Sequence, residues 1–206
     1  MKILFSIFSI FLFSFSAVAA EGAKGQDSSQ KINFSSVLEI KHIYNIDRKD
    51  ILEVNIINRF ISSSKIGGSV SAKINDNFSR VMGGITFFPE EWCLFDVGIG
   101  ILYDGYGNEK KFLAGVRLWL GKKEILDFWL NGEGGNATPF RGEAILMVNI
   151  SDWALGGVMA NTVFGYGPRI EIEILPPLKI WGSVTAADWR WYWPEFYAHV
   201  GVKVIF

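Results

Sequence analysis

Charged residues of both signs recur at alternate positions along this 206-residue chain, and most of its chemistry rests on them. Arg80, Asp96, Arg117, Asp127, Arg141, Glu143, Arg169 and Glu171 all stand in stretches where polar and apolar residues take turns. In extended backbone successive side chains point to opposite faces, so each stretch has one charged face and one apolar face. Charges held against a wall need water or partners. Guanidinium and carboxylate groups arranged this way can line a wet passage and bias which ions cross it. Alternatively, they can pair with one another and fill the space between them. The same polar parity takes in Lys41, Arg59, Lys65, Lys73, Lys111, Lys179 and Lys203 against Glu39, Glu53, Glu133 and Glu173. The slight cationic excess favours anions weakly.

Catalysis asks for tighter constellations. A serine nucleophile needs a base within hydrogen-bond reach, and the chain has two histidines. His42 falls on the apolar face of its segment beside Tyr44, whereas His199 falls on the polar face of the last segment, with Ser183 and Thr185 on the polar face of the segment before it. No His pair or Cys/His cluster has metal-ligand spacing, and the glycines sit within strands or turns rather than in a phosphate-cradling loop. No cofactor or metal is expected. Cys93 is the single cysteine, which excludes an internal disulfide framework, and its apolar neighbours mark it as a small hydrophobe. A net charge of −1 gives no argument for nucleic acid.

The elements that position these groups are short strands. The final segment is the clearest: Phe196, Ala198, Val200, Val202, Val204 and Phe206 share one face, and Tyr197, His199, Gly201 and Lys203 share the other. A dyad of this length suits a strand with lipid on one side and water on the other. At the opposite end, Lys2, an apolar run and Ala17-Val18-Ala19-Ala20 read as a secretory signal peptide over 1–20. A polar lead-in, expected to be disordered, follows over 21–31, and the barrel domain spans 32–206. Beyond the leader no apolar run is long enough for a transmembrane helix, yet half of the residues are hydrophobic and aromatics make up 15%.

From residue 32 onward, alternating segments of about ten residues recur between turn residues. The pattern predicts an all-β, antiparallel, up-and-down transmembrane β-barrel of about twelve strands, with ten as the alternative count. Connections near 62–64, 88–91, 121–124, 151–152 and 176–177 are expected to be short turns on one side. Those near 104–110, 132–139, 164–168 and 188–195 are expected on the other. Aromatics gather where strands end, among them Trp92, Trp153, Tyr166 and the run Trp189, Trp191, Tyr192 and Trp193, which is expected to form an interfacial rim. A hairpin turning at 121–123 would set Arg117 across from Asp127, Lys111 across from Glu133, and Trp129 over Gly115. A turn at Pro176-Pro177 would set Glu173 across from Lys179.

The closing strand that ends on Phe206 resembles the C-terminal signal of bacterial outer-membrane β-barrels. That resemblance implies recognition by the barrel-assembly machinery, both termini in the periplasm, and contact with outer-membrane lipids and lipopolysaccharide. Tyr197-Ala198-His199-Val200-Gly201 also resembles, over about five residues, the aromatic-x-His-x-Ser motif of lipid A deacylase barrels. Gly201 stands where that motif has its nucleophilic serine, and the segment's histidine faces inward. The leading expectation is a small outer-membrane channel for ions or small polar solutes, lined by the eight charged residues named first. A non-conducting structural or partner-binding barrel is the alternative, and a lipid-acting enzyme centred on His199 is a third.

Overall fold

The computed structural model describes residues 33–45, 50–61, 65–104, 110–122, 125–136, 138–187 and 195–205. The leader, the lead-in and the expected rim of Trp189, Trp191, Tyr192 and Trp193 lie outside the described residues. Twelve strands follow one another: β1 (Asn33–Asn45), β2 (Ile51–Ile61), β3 (Ile66–Asn75), β4 (Phe78–Glu90), β5 (Cys93–Asp104), β6 (Lys110–Lys122), β7 (Leu126–Gly135), β8 (Thr138–Ser151), β9 (Ala154–Asn161), β10 (Gly165–Leu175), β11 (Leu178–Ala187) and β12 (Glu195–Ile205). Each strand pairs antiparallel with the next, and β1 closes onto β12. That seam runs in unbroken register from Val37 across Ile205 to Asn45 across Tyr197. An even number of strands brings the start of β1 and the end of β12 to one rim, called here the terminal rim.

Alternation places the side chains. Ile99, Ile85, Val158, Val184 and Val200 are more than half exposed on the outside, which forms a continuous apolar belt. Lys41, Arg59, Arg80, Arg169 and Glu171 are buried on the inside. The polarity is therefore inverted relative to a water-soluble protein, as lipid outside requires. Aromatics stand exposed near both rims: Trp92 and Trp153 at the terminal rim, Tyr44 and Tyr166 at the other. The ninth strand, whose facing the sequence leaves ambiguous, turns Leu155, Gly157 and Met159 inward against Glu171, Arg169 and Gly167.

Two turns at the far rim use one device. Asn75 Oδ1 accepts from the backbone N–H groups of Asn77 and Phe78, both at 2.9 Å. Asn161 Oδ1 accepts from Val163 at 2.8 Å and Phe164 at 3.3 Å. Asparagine imitates a backbone turn in this way and caps a strand without a long loop.

Several expectations need correction. Several strands run further than the segments read from sequence, so β7, β8 and β10 absorb most of 132–139 and 164–168. Gly165, at φ 78°, supplies the bend that lets β10 begin early. The β6–β7 turn lies two residues further along than expected, because β6 continues through Gly121 and Lys122. Pairing slides with it: Arg117 stands across from Asn131, Asp127 from Gly121, Glu133 from Gly115 and Trp129 from Trp119. Across the Pro176-Pro177 turn, Glu173 does stand opposite Lys179. Lys65, expected inward, is instead exposed beyond the end of β3, where its Nζ donates to the Pro89 carbonyl at 2.5 Å and lies 3.7 Å from Glu90.

A test of the facing follows. Ile99 lies mid-strand on β5 and is 62% exposed. Ile99→Arg puts a guanidinium at bilayer mid-depth and should lower the unfolding free energy in lipid vesicles by about 2–4 kcal/mol. Urea titration followed by tryptophan fluorescence measures it, with Ile99→Leu close to wild type.

Candidate functional site

The interior holds three linked charge clusters. The first centres on Asp96 of β5. Arg59 of β2 donates to Asp96 Oδ2 through Nε at 2.9 Å, and its Nη2 also lies 2.9 Å from that oxygen. Thr86 Oγ1 donates to Asp96 Oδ1 at 2.6 Å. Arg117, across from Asp96 in the β5–β6 ladder, lies 3.9 Å from Oδ2 and donates to Ser71 Oγ.

The second cluster lies toward the far rim. Glu53 Oε1 receives Lys41 Nζ at 2.8 Å and Lys73 Nζ at 2.9 Å. Lys41 also reaches Glu143 Oε2 at 3.6 Å, and Asn161 Nδ2 donates to the same oxygen at 3.1 Å. Arg80 of β4 pairs with Glu133 of β7. The third cluster centres on Glu171, reached by Arg169 at 3.3 Å, Lys179 at 3.4 Å and Lys203 at 3.7 Å. Arg169 also lies 3.9 Å from Glu39 of β1 and 3.7 Å over the ring of Trp181.

Tryptophans brace the clusters. Trp119 and Trp129 face each other with ring centroids 6.1 Å apart. Arg59 and Lys203 approach the Trp129 ring at 5.7 and 5.9 Å, and the Trp119 indole N–H donates to Asp127. Trp181 is 2% exposed and folds over Gly201, where a Cβ would meet its ring. Gly115 leaves room for Met82 in the same manner.

All eight of the predicted lining residues belong to the inner face, but not in equivalent roles. Arg80, Asp96, Arg117, Arg169 and Glu171 are less than one-tenth exposed and belong to the buried clusters. Glu143 and Arg141 lie higher, beside a cavity. Asp127 serves Trp119 rather than Arg117. Sequence reasoning missed the apolar inner residues Ile43, Met82, Leu102, Leu113, Met147 and Met159, all buried. Their parity with Lys41, Arg80, Asp96, Arg117, Glu143 and Gly157 was the available signal.

These side chains occupy the middle of the bore. Above them, toward the far rim, lies a vestibule of about 310 Å³, lined by Glu53, Lys73, Asn75, Phe78, Asn131, Glu133, Arg141, Glu143, Asn161 and Phe164 among others. His199 is 1% exposed inside the barrel, with Nε2 2.9 Å from Thr185 Oγ1 and its ring edge-on to Phe164 at 5.5 Å. The neighbouring Ser183 hydroxyl donates to the Pro168 carbonyl at 2.7 Å. His42 sits outside against Tyr44, ring centroids 3.9 Å apart. Among the described residues, no cluster of His, Cys, Asp and Glu is arranged to hold a metal ion.

No family model and no curated protein matches the chain. Its architecture is nevertheless similar to that of solved outer-membrane barrels. A KdgM porin aligns with a TM-score of 0.59 at 11% identity, over 82% of this chain and 99% of that one. A NanC porin aligns at 0.51 and 10%, over 81% and 98%. Outer-membrane phospholipase A from Escherichia coli aligns at 0.50 and 9%, over 84% and 92%. The closed twelve-stranded antiparallel barrel, with its lipid-facing belt, is a porin-type outer-membrane fold. An apolar belt around a closed barrel suits a chain that crosses a membrane with its strands.

The corrected pairing is testable. A double-mutant cycle with Arg59→Met and Asp96→Leu should show coupling of about 1–3 kcal/mol, as for residues in one buried network. A parallel cycle at Arg117 and Asp127 should show none. Urea unfolding in vesicles reads both.

Proposed function

We propose that this barrel is a small porin-type channel whose resting bore is closed by its own ion-paired wall, and that ions and small polar solutes cross when the pairs rearrange. The observation that carries this reading is the chemistry of the closure. Arg59, Arg80, Arg169, Asp96, Glu133 and Glu171 fill the bore where apolar side chains would pack at least as stably. Charged groups that part expose surfaces that water readily wets, whereas a leucine plug would have to be desolvated anew on each closure. Passage would be passive diffusion without energy coupling. With the termini in the periplasm, the vestibule opens to the cell exterior, the belt contacts outer-membrane lipid and lipopolysaccharide, and β12 is the strand offered to the barrel-assembly machinery.

The burial of the same groups favours a second reading, a non-conducting barrel that stabilises the membrane or holds a partner. We assign no catalysis to His199, since its hydrogen bond to Thr185 is enclosed in the bore away from lipid.

Planar-bilayer recording separates the readings. Wild type should be closed for most of the time and show brief steps, with a reversal potential in asymmetric KCl displaced weakly toward anions. Arg80→Ala combined with Glu133→Ala removes both partners, leaves no orphan charge, and should give long-lived openings. His199→Ala should keep the wild-type steps. Silence at every voltage from folded wild type overturns the channel reading and leaves the structural barrel.

A further inference from the structure

Glu133 of β7 stands within reach of two arginines. Arg80 of β4 pairs with it from three strands away. Arg141 of β8 stands directly across from it in the β7–β8 ladder. Direct cross-strand neighbours are the ordinary place for a pair of opposite charges. Among the described residues, however, Arg141 lies within ion-pair distance of no carboxylate. Its guanidinium carbon sits over the Phe78 ring, 4.7 Å from the centroid. Phe78 and Arg80 are two positions apart on the inner face of β4, so one strand holds Glu133 and also holds the second cation aside.

The same groups mark where the vestibule meets the filled bore. Glu133, Arg141 and Phe78 line the cavity, whereas Arg80 lies deeper along β4 and is 3% exposed. The Arg80–Glu133 pair crosses part of the bore, and on the channel reading it is one of the contacts that must part. A buried carboxylate stripped of its cation is strongly destabilising. Opening therefore requires a replacement partner for Glu133.

Arg141 meets the requirement. It is the ladder neighbour of Glu133, and the cavity of about 310 Å³ beside it leaves its side chain room to turn. A guanidinium grips a carboxylate with two parallel hydrogen bonds, which outweigh the single ring contact given up. Arg80 is not stranded either. Lys73 faces it in the β3–β4 ladder and is bonded to Glu53, so a released Arg80 lies beside a second carboxylate and meets the entering water.

We infer that Glu133 exchanges Arg80 for Arg141 when the bore opens, so that a pair crossing the bore becomes a pair lying along its wall. Phe78 holds Arg141 away from Glu133 in the closed state. The exchange rests on the channel reading and assigns the residue that stabilises its open state.

The test is planar-bilayer recording of the refolded full barrel, each variant first checked for folding by heat-modifiable gel mobility. The quantity read is the fraction of time open at fixed voltage and salt. Arg141→Gln should lower it about tenfold or more, since Glu133 is then orphaned on opening. Arg141→Lys keeps a cation across from Glu133 and should retain most of it. Phe78→Leu releases Arg141 and should raise the open fraction about two- to fivefold, and Arg141→Gln should abolish that gain. In the Arg80→Ala and Glu133→Ala double variant, adding Arg141→Gln should change nothing further. A wild-type open fraction in Arg141→Gln, no rise in Phe78→Leu, or an equal effect of Arg141→Gln once Glu133 is gone would each overturn the exchange and leave the channel standing. Phe78→Leu decides alone if Arg141→Gln does not fold. Silence of folded wild type is a separate result, which removes the channel reading and the exchange with it.

Discussion

Pairing of β1 with β12 is the contact on which the rest of the molecule depends. In hydrocarbon no water is available to an unpaired N–H or C=O group, and each orphan costs several kcal/mol. A sheet left open at Val37 and Ile205 would present two full edges to lipid. Closing them fixes the strand count, the tilt and the bore at once. Once the bore exists, every inward side chain must be accommodated in a narrow cylinder. The glycines facing inward at 100, 115 and 201 make that room, since a Cβ would meet Met82 at the first two and the Trp181 ring at the third.

The ion pairs have to be understood in that setting. Bringing charges out of water is expensive, and only close geometry with further hydrogen bonds recovers the cost. Asp96 shows the arrangement: Arg59 on one oxygen, Thr86 on the other, Arg117 nearby. Glu171 is reached by three cations and Glu53 by two. Two of the clusters fill the lower bore and middle, and the cluster around Glu53 forms part of the wall of the cavity toward the far rim.

Much of this was legible in the chain. A period of two is an unambiguous signal where one face meets lipid, and it places Cys93, Phe95, Val97 and Ile99 outside and Asp96 inside without any structure. The count of twelve followed from the same repeats. Register was less legible. The 121–124 connection contains no Asn-Gly or Asp-Gly pair to fix its turn, and Trp119 lying over Gly121 prolongs β6 beyond where the glycine suggests it stops. Glu173 and Lys179 were readable because a proline pair leaves only one place to turn. The partners of Arg59 and Arg80, and the second partner of Lys41, Glu143, could not be read at all. They lie on strands several places away around the wall, and nothing local encodes which strands a closed cylinder sets face to face.

Those distant pairs have a mechanical meaning. Arg59 of β2 to Asp96 of β5, Arg80 of β4 to Glu133 of β7, Lys41 of β1 to Glu143 of β8, and Arg169 of β10 to Glu39 of β1 are not rungs between neighbours. They behave as chords set at different angles across the bore. A hollow barrel of this size flattens easily toward an ellipse when the bilayer squeezes it sideways. A ring braced by chords in several directions resists flattening along each of them, so this wall gains stiffness from the same side chains that fill its bore.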